Sequence, residues 1–165
     1  MERKMRRFKQ QLDVAAAEAI LLQAGNGILS LVGIDGEPYG VPISFAFDGE
    51  RYIYFHSAVK GYKIDCIKNN PTCSFCVVGQ DLIVPEEFTS YFRSVIVNGT
   101  IQILSEHDEI LKGLKLLCEK YSPGIDPTSE ISKCINHVAV LRLDIENITG
   151  KEAIELVRNR KTSTE

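Results

Sequence analysis

The sequence predicts an α+β fold, mainly β: six antiparallel strands around a β-barrel, with four or five small helices beside them. Three observations carry that expectation. Asp-Gly pairs at 35–36 and 48–49 separate alternating apolar runs, the signal of tight hairpins. Two further runs, 91–104 and 137–148, read as long strands. The chain has 165 residues, 44% apolar and 25% charged, ordinary values for one globular domain.

In chain order, Asp13 is the N-cap of a helix over 14–24, rich in Ala and Leu, and Gly25 stops it. That helix carries little polar surface, so it packs against the body. After a turn at Asn26-Gly27 the period changes to two. Strands follow at 28–34, 39–47 and 51–57, joined by the two Asp-Gly turns. A short helix spans 61–69 and closes before Asn70-Pro71. A fourth strand covers 72–79, residues 80–90 are a loop with Pro85, and a fifth strand runs over 91–104 with Gly99 as a bulge. Ser105 caps a helix from 106 to about 120. A loop with two prolines, a short helix at 129–135, the sixth strand at 137–148 and a terminal helix at 151–159 complete the chain. The expected organisation is a basic arm over 1–12, one domain over 13–155 and a tail over 156–165.

Net charge is −3, although residues 1–9 hold five basic residues and one acid. That balance argues against a bulk nucleic-acid binder and makes the basic start a solvated arm. No run approaches the roughly 20 apolar residues of a membrane span, and the N-terminus does not read as a signal peptide. Five cysteines, an odd number, read as free thiols in a reducing cytoplasm. Cys73-x-x-Cys76 lies in a strand, where positions three apart face opposite ways, so the pair is neither a metal site nor a disulfide.

Three segments carry candidate chemistry. On the strand over 41–47, Val41, Ile43, Phe45 and Phe47 face one side and Pro42, Ser44 and Ala46 the other. The second side is small enough for a flat ligand to approach the backbone; Pro42 marks an edge strand. Tyr52, Tyr54 and His56 share a face. His56 opens a segment with Ser57, Ala58 and Gly61, and Lys63 sits in the first turn of the next helix. Small residues, helix N–H groups and one lysine suit a phosphate; an ordinary strand end with a surface lysine is the plainer alternative. Around Tyr91, Arg93 and Ser94, hydroxyls and a guanidinium open the long strand, either for an anion or to protect an edge. Thr149-Gly150-Lys151 reads as a turn plus a cation.

The stretches VPISFAFDGERYIYFHSAVKGYKIDCIKNNPTCSFCVVG, YFRSVIVNGTIQI and ITGKE, in this order, resemble the 5-nitroimidazole-resistance (Nim-type) branch of the pyridoxamine 5'-phosphate-oxidase-like flavoproteins. The resemblance covers roughly residues 3–155. It implies an FMN-binding split barrel that forms a homodimer with FMN at the interface. By position, Val41, Pro42, Ile43 and Ser44 would run beside the isoalloxazine ring. His56, Ser57 and Ala58 would line the ribityl and phosphate region, and Lys63 would neutralise the phosphate. Tyr91, Arg93 and Ser94 would meet the cofactor across the interface. Tyr62 stands where the parent oxidases often carry a second cation, and their vitamin B6 substrate residues are not evident here.

The function this implies is an FMN-dependent oxidoreductase. It would take electrons from a small-molecule donor and reduce small electrophiles such as nitroimidazoles, with His56 as the catalytic group. FAD is a second cofactor choice and haem a third. The competing reading is a non-catalytic flavin or haem protein of the same fold.

Overall fold

The computed structural model describes residues 4–162. Met1, Glu2 and Arg3 of the basic arm and residues 163–165 of the tail lie outside the described residues. A 3-10 turn at Phe8–Gln10 leads into β1 (Gln11–Leu12) and α1 (Val14–Gln23). Then come β2 (Gly27–Val32), β3 (Pro38–Ile43), β4 (Ala46–Phe47) and β5 (Tyr52–Ala58). Helix α2 (Tyr62–Asn69) precedes β6 (Thr72–Val84) and β7 (Thr89–Ile103). Helices α3 (His107–Tyr121) and α4 (Thr128–Cys134), strand β8 (Val138–Glu152) and helix α5 (Ile154–Thr162) end the chain.

All eight strands join one antiparallel sheet in the order β3-β2-β6-β7-β8-β5-β4, with β1 added on β8. The sheet curls, because residues from both of its ends pack in one core. Tyr39 and Val41 of β3 belong to the same apolar cluster as Phe47 of β4 and Phe55 of β5. Phe75 sits at its centre, edge-on to Phe45 at 4.8 Å and to Phe55 at 5.1 Å. The two end strands are not hydrogen-bonded to each other, so the barrel is split. A second, smaller core joins Tyr54 and Val140 to Leu104, Leu114 and Ile131 under α3 and α4. The predicted α+β, mainly antiparallel architecture is the one observed.

Several boundaries differ, each for a physical reason. The expected strand over 39–47 is two. β3 pairs back onto β2, while β4 turns to β5. At the break, the Phe45 N–H donates to the Tyr121 hydroxyl (2.8 Å), whose oxygen also lies 3.0 Å from the Phe45 carbonyl. A side chain from α3 thus replaces the missing ladder partner. The expected loop over 80–90 is mostly ladder: β6 and β7 pair as far as Val84 opposite Thr89. Only Pro85–Glu87 and the left-handed Phe88 (φ 50°) form the turn. A register shift between Val78 and Gln80 lets the pairing continue past Gly79.

Thr149-Gly150-Lys151 is not a turn either. It lies inside β8, with Gly150 opposite Leu12 and Val95. Gly99 is not itself the bulge: the β7–β8 register shifts between Asn98 and Gly99 by skipping Glu146, so the extra residue lies on β8, and Gly99 faces it at a close approach where a Cβ would come 2.1 Å from the Asp144 carbonyl oxygen. Helix α3 starts after Glu106, which makes no side-chain cap, so Ser105 is not its N-cap. Helix α1 is capped as expected, Asp13 Oδ1 accepting from the Ala16 N–H at 2.8 Å, but Ala24 ends it in an extended conformation. The end of the basic segment is folded onto the body. Leu12 is buried, and the Gln10 amide donates to the Glu152 carbonyl at 2.9 Å.

Candidate functional site

The residues singled out from sequence fall into two groups, and one copy of the chain keeps them apart. His56 lies opposite Val140 on β8, and Arg93 lies opposite Glu152. Those β8 positions are twelve residues apart, a path on the order of 40 Å at ~3.3 Å per residue. Ser57 and Ala58 follow His56 on the same ladder, opposite Ala139 and Val138. Ser94 accompanies Arg93, opposite Lys151. Within one copy, Tyr91, Arg93 and Ser94 therefore belong to the opposite end of β8 from His56.

The first group gathers around the end of β5. Ser44, where the chain leaves β3, and His56 both line a cavity of about 350 Å³. Leu114, Leu117, Cys118 and Tyr121 of α3 form one wall, and Glu130 and Cys134 of α4 with Val138 of β8 form another. None of these helix residues was among the sequence candidates. The signal that would have found them is the apolar face of α3, which the folded chain aims at β5 and β8 rather than at the main core.

Beyond His56, Gly61 has φ 135°, a conformation that favours glycine, and it opens α2. Lys63 follows in the first turn, partly buried. Burial alone holds its pKa below the ordinary lysine value. Among the described residues, no hydrogen bond or ion pair holds its ammonium group. Tyr62 beside it is committed elsewhere: its hydroxyl donates to Glu37 Oε1 at 2.6 Å, and that bond pushes the phenol up to about 12.

The second group has a different character. β7 is a central strand, so Arg93 does not guard an edge. Its Nε lies 3.3 Å from the fully buried Glu152 carboxylate, and its Nη1 donates to Gln80 Oε1 at 3.0 Å. The guanidinium thus neutralises a charge inside the protein. The Tyr91 hydroxyl donates to Glu87 Oε2 at 2.8 Å.

Val41, Pro42 and Ile43 lie on β3, the first strand of the sheet order, as the proline suggested. Pro42 heads a rung that crosses four strands: Pro42, Ile28, Cys76 and Ile96 in register. The rung is on the outer face, with Ile28 42% and Ile96 43% exposed, and Val78 beside it 60% exposed. Cys73, three residues from Cys76, points inward, and burial pushes its thiol up to about 12. The two sulfurs diverge, and all five cysteines are free. Among the described residues, no cluster of His, Cys, Asp or Glu could hold a metal ion. No helix among them is long and apolar enough to cross a membrane.

Comparison with known proteins agrees with this fold. Residues 13–152 match the family model described as pyridoxamine 5'-phosphate oxidase. An uncharacterised protein of Rhizobium meliloti (strain 1021) is 32% identical over 130 residues, 72% of this chain and 79% of the relative. A candidate 5-nitroimidazole antibiotic resistance protein from Bacteroides thetaiotaomicron superposes with a TM-score of 0.75 at 22% identity, covering 86% of each chain. An FAD- and haem-binding protein from Mycobacterium smegmatis superposes with a TM-score of 0.72 at 20% identity, over 88% of this chain and 73% of its own. At these identities the two structural likenesses are ones of fold.

Proposed function

The chain belongs to the pyridoxamine 5'-phosphate oxidase family, and on that premise we propose that it is a flavin-binding oxidoreductase that works as a homodimer. The observation that carries the flavin is Lys63. A partly buried ammonium with no partner among the described residues is suited to an anion that the folded chain does not itself supply. Small residues precede it (Ser57, Ala58 and Gly61), leaving room for a phosphate against the backbone. The residues present therefore fit the phosphate end of FMN, with FAD as the larger variant.

In this reading His56, Ser57, Ala58 and Lys63 hold the ribityl phosphate. Val41, Pro42, Ile43 and Ser44 lie along the ring. Tyr91, Arg93 and Ser94 come from a second copy, because their own copy carries them to the far end of β8. The exposed rung through Ile28 and Ile96 is the apolar surface on which two copies close. Arg93 braces its own Glu152 first, so the phosphate charge falls mainly to Lys63. A flavin held there would supply the redox chemistry, between a small-molecule electron donor and small electrophiles such as nitroimidazoles. His56 positions that electrophile and holds or donates a proton. Five free thiols fit a cytoplasmic setting.

The test starts with the visible spectrum of the purified protein. A flavin band, bleached by NAD(P)H and restored by metronidazole, is the expected result. Flavin that no donor reduces would turn the reading into that of a flavin carrier. A Soret band lost in His56→Ala would replace it with haem binding.

A further inference from the structure

We propose that the cavity between β5 and helices α3 and α4 receives the body of the electron acceptor, and that it selects flat, uncharged, largely apolar molecules over carboxylates and phosphates. The assignment rests on the flavin reading for the identity of the ligand as an acceptor, but the selectivity comes from the cavity itself. Its volume, about 350 Å³, is at the small end of the ~300–1,000 Å³ typical of small-molecule sites. Leu114, Leu117 and Val138 supply apolar walls, joined by the thiols of Cys118 and Cys134. Burial, with the nearby Cys134 and Glu130, raises the Cys118 pKa and so favours the neutral form of that thiol.

Polar groups are few. Ser44 and His56 share the side that the sequence had marked for the cofactor. A ring N–H of His56 or the Ser44 hydroxyl can donate to a nitro or carbonyl oxygen of a ligand seated against the leucines. The Tyr121 hydroxyl is already committed, donating to the Gly25 carbonyl at 2.5 Å and accepting from the Phe45 N–H. Among the described residues, no lysine or arginine lines the cavity; the one carboxylate is Glu130, 74% exposed on the rim and 4.0 Å from the similarly exposed Lys133 ammonium. An anion seated against the leucines would lose its hydration and find no cation in the cavity walls, the rim Lys133 being paired with Glu130 in solvent. A phosphorylated molecule is thus disfavoured in the cavity, whereas Lys63, which is not among its lining residues, suits the phosphate of a cofactor.

The test is calorimetric titration of the purified full-length protein with three probes: 4-nitrobenzyl alcohol, 4-nitrobenzoate and 4-nitrophenyl phosphate. The alcohol is expected to bind at least tenfold more tightly than either anion. Leu117→Trp, which fills the cavity, is expected to lower alcohol affinity at least tenfold while the visible spectrum and flavin affinity stay as in the parent. Glu130→Lys, on the exposed rim, is expected to cut the alcohol-to-benzoate preference at least threefold; it keeps the proposal testable if Leu117→Trp does not fold. Equal affinity for alcohol and benzoate would overturn the proposal, as would unchanged alcohol binding in a folded Leu117→Trp. Loss of FAD affinity with FMN affinity intact in that variant would also overturn it, by giving the cavity to the adenosine end of FAD. The two readings fail separately. Cavity-dependent alcohol binding in a protein that takes no flavin sinks the flavin reading alone. Reducible flavin with cavity-independent alcohol binding sinks this one alone.

Discussion

Lys63 and Arg93 illustrate how two cations in one candidate site come to have different duties. Lys63 is partly buried without a partner among the described residues, so its charge suits a ligand. Lys63→Ala is expected to weaken FMN binding by about 1.5–3 kcal/mol, roughly 10- to 150-fold, the worth of a charge-assisted bond. Fluorescence titration of the flavin-free protein measures it, and unchanged affinity would move the phosphate elsewhere. Arg93 faces a carboxylate that is 0% exposed. Its loss acts first on stability, because Glu152 would stay buried without that counter-charge. Lys120 shows a third situation. Its Nζ lies 3.8 Å above the Phe45 ring, which favours the charged form, yet burial dominates and pulls the amine from 10.5 to about 8. Between about pH 8 and 10.5 the unfolded chain therefore holds more of this proton than the folded one, and stability from this group rises with pH across that window. Below pH 8 the cost of the buried charge is present in full. Lys120→Met is expected to flatten the rise, read as the urea midpoint of variant and parent between about pH 7.5 and 9.5.

At the scale of elements, local pattern was sufficient wherever a turn is made by its own residues. Gly36 and Gly49 have φ of 86° and 84° in the two Asp-Gly turns, and Asp48 accepts from the N–H groups of Glu50, Arg51 and Tyr52. Pattern failed where a distant group decides. The break between β3 and β4 depends on the Tyr121 hydroxyl, 76 residues away in the chain from Phe45. Tyr121→Phe is expected to destabilise the protein by about 1–3 kcal/mol, since the Phe45 N–H loses its acceptor. Urea denaturation measures that loss, and a change below ~0.5 kcal/mol would mean that water replaces the hydroxyl without cost. The extension of β8 through Lys151 has the same origin. Thr149-Gly150-Lys151 carries turn residues, but β1 and β7 pair on both sides of it and hold it in the ladder.

At the scale of the whole molecule, the separation of His56 from Arg93 along β8 is the reason we propose that two copies build the site. Ile96→Glu puts a charge at the β7 end of the exposed rung. It is expected to give a monomer that no longer retains flavin, with the circular dichroism of the parent. Sedimentation velocity and the visible spectrum test this together; a flavin-loaded dimer in the variant would move the interface to another face. The fold class, the hairpins and the residues carrying the family resemblance were determined by the sequence, because alternation, turn chemistry and short motifs are written in neighbouring residues. Tertiary structure decided which of those residues meet. It brought Ser44 and His56 to one cavity, turned Arg93 toward Glu152, and drew α3 and α4 in as cavity walls. Those outcomes depend on the path of a curled sheet and on side chains dozens of residues apart, and no local spacing encodes them.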